Sequence, residues 1–188
     1  MQDVEGLVMF AREIAGRRYA LAIMGIAHED SSYDAWSSAI DALEALTNNS
    51  QYVEALQSDG MTDEHFQSIV HDVIADIGMK QINLFRLLRS KRRLNLGPSI
   101  ASYYRELLDE HRDIIRVTVR TAIELDTDRQ AKLREQISQE TGKKVELSTI
   151  IDSSILGGMT IRIDDLLIDA STRTRLQSLR REFERAGR

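Results

Sequence analysis

Cysteine is absent from this 188-residue chain, and proline occurs once. Without thiols there is no disulfide framework, no thiol nucleophile and no cysteine-ligated zinc, and the composition suits a reducing compartment. A single proline and 10 glycines leave little material for long flexible linkers. No uninterrupted apolar run approaches the ~20 residues that a membrane span requires. At the N-terminus Asp3 and Glu5 precede the first apolar residues, the wrong order for a secretory leader. The net charge of −5 argues against a general nucleic-acid binder. What remains, 42% hydrophobic and 29% charged residues, describes an ordered globular chain with room for one large domain or two small ones. The expectation is a compact cytosolic protein.

Two hydrophobic periods divide the chain. Residues 4 to 27 place Val4, Leu7, Val8, Ala11, Ile14 and Ala15, then Tyr19, Ala20, Ile23 and Met24, at helical spacing. A second helix carries Trp36, Ala39, Ile40, Leu43 and Leu46, with Ser31 and Asp34 as its expected cap and Asn48-Asn49 as its stop. A short amphipathic piece with Tyr52, Val53 and Leu56 precedes Gly60. Thr62 is expected to cap a helix that turns Phe66, Ile69, Val70, Val73, Ile74 and Ile77 inward and ends at Gly78. The next helix carries Ile82, Phe85 and Leu88, with Leu84 beside them, and runs through a basic patch to Gly97. Pro98 opens a further helix with Ile100, Tyr103, Tyr104, Leu107 and Leu108.

After that helix the period changes from 3.6 to 2. In the run "IIRVTVRTAIEL", Ile115, Val117, Val119, Thr121 and Ile123 alternate with Arg116, Thr118, Arg120, Ala122 and Glu124, which predicts a half-buried strand. A charged helix over 127 to 141 ends at Gly142. Lys144 to Ile151, Met159 to Ile163 and the short "LLID" read as strands, and a helix starts at Ser171. The fold expected is α+β and mostly helical: a six-helix bundle over residues 1–105, then a small α/β domain over 106–188 with helices on one face of a sheet.

Few residues offer chemistry. "LGGM" lacks the lysine of a phosphate loop and is followed by a strand, so Gly157 and Gly158 read as turn geometry. Asp164 and Asp165 fall at an expected hairpin turn, where aspartates are favoured, and no partner carboxylate is identifiable for a hydrolase. Asp169 and Ser171 read as caps of the last helix. That helix, 171 to 188, holds six arginines against two glutamates and suits docking onto an acidic helix. His28, His65, His71 and His111 show no metal-ligand spacing. Arg86, Arg89, Lys91, Arg92 and Arg93 form a patch open to two readings: a nucleic-acid-associated helical adaptor, or a basic helix end facing a protein partner. No catalytic, cofactor or metal site is expected.

The stretch "IIDSSILGGMTIRIDDLLIDASTRTRL" resembles the C-terminal signature of the delta subunits of bacterial F-type ATP synthases, relatives of the mitochondrial oligomycin-sensitivity-conferring protein. The matching residues are Asp152, Gly157, Gly158, Asp165, Asp169, Ser171, Arg175 and Leu176. Asp164 and Ala170 depart from it, since the family commonly has glycine at both. "RRYALAIMGIA" is similar to the family's first helix at Tyr19, Ala20 and Ala22, and the segment around Arg93 and Leu94 to its central part. The resemblance covers residues 10 to 183, and the length suits a free-standing subunit. It implies a non-catalytic stator subunit without cofactor, one copy per complex, at the cytoplasmic face of the bacterial membrane without inserting into it. It also implies that the helical domain grips N-terminal segments of alpha subunits on the alpha/beta head, while the second domain holds the b-subunit stalk. Tyr19, Ala20, Ile23, Phe85 and Leu88 are the residues expected at the head; Arg175, Leu176, Leu179, Arg180 and Phe183 are those expected at the stalk.

Overall fold

A computed structural model describes residues 2–74, 76–153, 155, 157–163, 166–174 and 176, with side chains from residue 13 onward. The chain divides into two compact units, Met1–Leu108 and Asp109–Arg188. Among the described residues helices dominate and the strands form one four-stranded mixed sheet, so the class is α+β.

The first unit is built from α1 (Gln2–Asp30), α2 (Tyr33–Thr47), α3 (Ser50–Leu56), α4 (Asp63–Val73), α5 (Met79–Ser90), a 3-10 turn (Leu94–Leu96) and α6 (Gly97–His111). Each contributes an apolar stripe to one core. Ala20, Ile23 and Ala27 come from α1, Trp36, Ile40 and Leu43 from α2, Phe66 and Val70 from α4, and Phe85 and Leu88 from α5. Ile100 and Tyr104 of α6 complete it. Because Tyr104 is fully buried, its hydroxyl needs a partner; it donates to the Tyr33 carbonyl at 3.1 Å. Outside the core Arg105 of α6 bridges Asp41 (2.7 Å) and Glu44 of α2, and these hydrogen bonds, Glu44 first, hold its guanidinium above its already high pKa.

Element ends differ from the sequence expectations in instructive places. Ser31 does not cap α2. It sits in the left-handed region at φ 51°, where its N–H reaches the His28 carbonyl and that of Ser32 the Ala27 carbonyl. That paired closure terminates α1, and the N-cap of α2 is Ser32, with no side-chain cap bond. Asn49 starts α3 by accepting from the Gln51 N–H at 2.9 Å, and Tyr52 of that helix faces solvent. Thr62 caps α4 as expected, accepting from the His65 N–H at 3.2 Å. The helix stops at Val73, however, because Ile74 turns extended (φ −129°, ψ 104°), and Gly78 begins α5 instead of ending α4. Ile74 and Ile77 still pack on the core, from outside the helix. Similarly α5 ends before Gly97. Arg92 adopts φ 52°, the Arg93 N–H closes on the Leu88 carbonyl at 2.7 Å, and the chain turns so that Leu94 and Leu96 enter the core.

In the second unit the elements are β1 (Ile114–Thr121), α7 (Thr127–Thr141), β2 (Lys144–Ile151), β3 (Met159–Ile163) and β4 (Leu166–Asp169), in sheet order β2-β1-β3-β4. β1 and β2 pair in parallel, which requires a crossover, and α7 supplies it. The other pairs are antiparallel. Asp126 caps α7 by accepting from the Arg129 N–H at 2.7 Å, and Gly142 closes it at φ 70°. Alternation places Ile115, Val117, Val119 and Val145 on one face, where Ile137 and Leu133 of α7 cover them. β1 is shorter than its sequence pattern. The strand ends at Thr121, whose hydroxyl donates to the Ile123 carbonyl at 2.5 Å, and Ile123 is 67% exposed while Leu125 turns inward.

Candidate partner-binding surfaces

Of the residues expected at the catalytic head, Ala20, Ile23, Phe85 and Leu88 are core residues with essentially no exposed area. This corrects their reading as contact residues, because a side chain already surrounded by its own domain has no surface to offer. Tyr19 alone is part-exposed. Its hydroxyl accepts from Arg93 Nη1 at 3.2 Å, and the pair forms one wall of a shallow depression of about 280 Å³ lined also by Ala15, Arg18 and Ala22. Small residues at helical spacing let another helix approach closely, and Ile14 and Leu21 stand exposed on the same helix.

The basic patch is largely spent inside its own unit. Arg89, only 15% exposed, donates through Nε to the Leu56 carbonyl at 3.0 Å. Its two other nitrogens reach the Met61 carbonyl and Asp63, and its guanidinium lies 5.2 Å from the centre of the Phe66 ring. Arg92 pairs with Asp59 at 2.9 Å. Three of the patch's arginines, Arg89, Arg92 and Arg93, therefore bind acceptors of their own fold, and the nucleic-acid reading is left unsupported. Sequence reasoning missed Arg89 as a structural residue, since its acceptors are loop carbonyls remote in sequence.

In the second unit the signature residues build a junction. Asp152 follows β2, its N–H on the Thr121 carbonyl at 2.8 Å and its own carbonyl accepting from Ile155 at 3.1 Å. Gly158 has φ 80°, and a Cβ there would lie 2.5 Å from the Ala170 carbonyl oxygen. Only glycine allows both the left-handed backbone and that approach. The Gly157 carbonyl in turn accepts from both the N–H and the hydroxyl of Thr172, each at 2.9 Å. Asp169 accepts from the Ser171 N–H at 2.8 Å and the Thr174 hydroxyl at 2.7 Å, and Thr174 N–H approaches the Ser171 hydroxyl at 3.4 Å. Residues 172–174 and 176 are helical. The Thr174 bond first, then those of Ser171, holds the exposed Asp169 carboxylate below the usual carboxylate pKa. The double glycine and the caps thus brace the start of a helix.

Around that junction apolar side chains are uncovered. Leu166 is 60% exposed, Leu167 63% and Leu176 62%, with Ile168, Ile150 and Ile151 also open to solvent. Leu166 and Ile168 pair with Ile163 and Ile161, so they extend the apolar face of the sheet beyond the part covered by α7. Asp164, Asp165, Arg175, Leu179, Arg180 and Phe183 lie outside the described residues.

Comparison with known proteins reaches both units. The family profile described as the ATP synthase delta (OSCP) subunit matches residues 15–183. ATP synthase subunit delta of Chlorobium limicola is 33% identical over 170 residues, covering 89% of this chain and 94% of the relative. The subunit of the same name from Desulfovibrio desulfuricans is 34% identical over 178 residues, covering 92% and 97%. That of Desulfotalea psychrophila is 31% identical over 177 residues, covering 91% and 96%. Among solved structures, a chain of the mitochondrial ATP synthase hexamer of Toxoplasma gondii superposes with a TM-score of 0.63 over 89% of this chain and 96% of its own length. At 16% identity that likeness concerns the fold. With its profile match running through both units and relatives matched over nearly their whole length, the chain belongs to the ATP synthase delta (OSCP) subunit family.

Proposed function

We propose that this chain is a peripheral-stalk subunit that ties the alpha/beta catalytic head of an F-type ATP synthase to its b-subunit stalk, so that rotor torque drives ATP synthesis. The observation that carries the reading is the family match over 15–183, which runs through both units. In this reading residues 1–105 form a six-helix bundle that binds N-terminal segments of the alpha subunits. Residues 106–188 form the α/β domain that binds b. One copy serves each complex, at the cytoplasmic face of the bacterial membrane. The subunit has no catalytic site of its own. No helix among the described residues is long and apolar enough to cross a membrane, in keeping with a peripheral place.

The head-facing surface is the depression on α1 around Tyr19, Arg18 and Arg93, with Ala20, Ile23, Phe85 and Leu88 holding α1 and α5 in place from behind. For the stalk, the exposed Leu176 and the uncovered leucines of β4 offer apolar anchors, and Arg175, Leu179, Arg180 and Phe183 are the further residues proposed to contact b. A tether under torque must dissociate slowly, which calls for apolar anchors rimmed by satisfied polar groups.

An affinity-tagged chain recovered from detergent-solubilised membranes of its own organism tests the reading. Alpha, beta and b subunits should co-purify with it. Recovery without them overturns it.

A further inference from the structure

The face of the sheet turned away from α7 carries Arg116, Thr118 and Arg120 on β1, Lys144, Glu146, Ser148 and Ile150 on β2, Thr160 and Arg162 on β3, and Leu167 and Asp169 on β4. Four cations thus stand against two carboxylates in a chain whose net charge is −5. The fold supplies acceptors at one end of this face: Arg116 pairs with Asp109 and, at 2.9 Å, with Glu146. The Asp169 carboxylate is engaged by Ser171 and Thr174. Arg120 and Arg162 have no ion pair among the described residues.

Register brings these two together. Thr118 lies opposite Arg162 and Thr160 opposite Arg120, so the arginines are diagonal neighbours on adjacent strands. Diagonal positions stand about 7–8 Å apart, within reach of one or two carboxylates held between long side chains. The same five side chains, Thr118, Arg120, Thr160, Arg162 and Leu167, line a depression of about 240 Å³. Leu167 puts a largely exposed apolar group at its rim. Two forked cations, two hydroxyl donors and an apolar rim form the kind of site where arginine binds carboxylate bidentately.

We infer that this open sheet face is a docking surface for an acidic segment of a partner protein, with Arg120 and Arg162 as its carboxylate clamp. Charge complementarity identifies the occupant: among the described residues both carboxylates of the face, Glu146 and Asp169, are already engaged, whereas the guanidinium groups of Arg120 and Arg162 have no carboxylate partner. The apolar rim favours a protein segment over a free anion. The inference rests on the stator reading, in which the partner is the b stalk, and it adds a second contact distinct from the terminal helix.

Binding of the full-length chain to the soluble portion of its own organism's b subunit, titrated at several salt concentrations, tests this. R120Q/R162Q should weaken binding about tenfold or more and flatten the salt dependence. R120K/R162K, which keeps the charge and loses the fork, should retain the salt dependence with intermediate affinity. Far-UV circular dichroism confirms that both variants fold. An R120Q/R162Q chain with unchanged affinity and salt dependence overturns the clamp, as does inorganic phosphate that binds through these arginines without competing with b. If the unmodified chain fails to bind b at all, the stator reading itself falls.

Discussion

At the scale of single residues, backbone conformation explains what side-chain chemistry does not. Ser31 holds φ 51° to close α1, a conformation that costs a residue with a Cβ about 1–2 kcal/mol and costs glycine little. Ser31→Gly should therefore raise the stability of the first unit by about 1 kcal/mol, seen as a higher denaturant midpoint by Trp36 fluorescence; a lower midpoint contradicts the assignment. Gly158 is the opposite case. Gly158→Ala meets both the left-handed penalty and the Ala170 carbonyl, and should destabilise the junction by about 2–4 kcal/mol. Faster amide exchange at Ala170 and Thr172 is the readout, and unchanged protection would contradict it. Asp169 adds a pH dependence. Its folded pKa is lowered, so its cap stabilises above the ordinary carboxylate pKa and is lost as pH falls through the folded value. An NMR titration of Asp169 should give a midpoint below that of a free aspartate, and a midpoint at or above it refutes the cap.

At the scale of elements, Arg89 is the fastener of the first unit. One guanidinium ties α5 to the carbonyls on either side of the α3–α4 loop and to the start of α4. Arg89→Ala removes the donor from those half-buried carbonyls and should cost about 1–3 kcal/mol, whereas the exposed Arg86→Ala should stay within about 0.5 kcal/mol. Arg89→Lys should recover little, because an ammonium cannot span two carbonyls and a carboxylate at once. Equal stability of the Ala and Lys variants to the parent, by thermal unfolding, would show the loop held by other means. In the second unit the element that matters is β1, since both its neighbours read their register from it.

For the whole molecule, the single tryptophan and all five tyrosines fall within the first unit. Trp36 fluorescence therefore reports the helical unit, and the second must be followed by backbone probes. The two-ended tether predicts separable losses. Removing residues 171 to 188 should sharply weaken capture of the b stalk, leaving at most the sheet-face contact, while binding to the alpha/beta head persists. Undiminished stalk binding by the truncated chain would displace the stalk contact from the terminal helix.

The sequence by itself determined the helical and mixed halves, the strand alternation of β1 and β2, the Thr62 and Gly142 boundaries and the family, because period and capping are local properties of a chain. Only the tertiary structure decided which apolar residues are core. Ala20, Ile23, Phe85 and Leu88 have the spacing that either a core stripe or a docking stripe shows, and burial alone separates the two. It also decided the fate of the arginines. Arg89 and Arg162 look alike in sequence, but one meets loop carbonyls across the fold and the other meets Arg120 through strand register. Long-range pairing distinguishes a structural arginine from one left open to a partner, and it is not encoded in any local spacing.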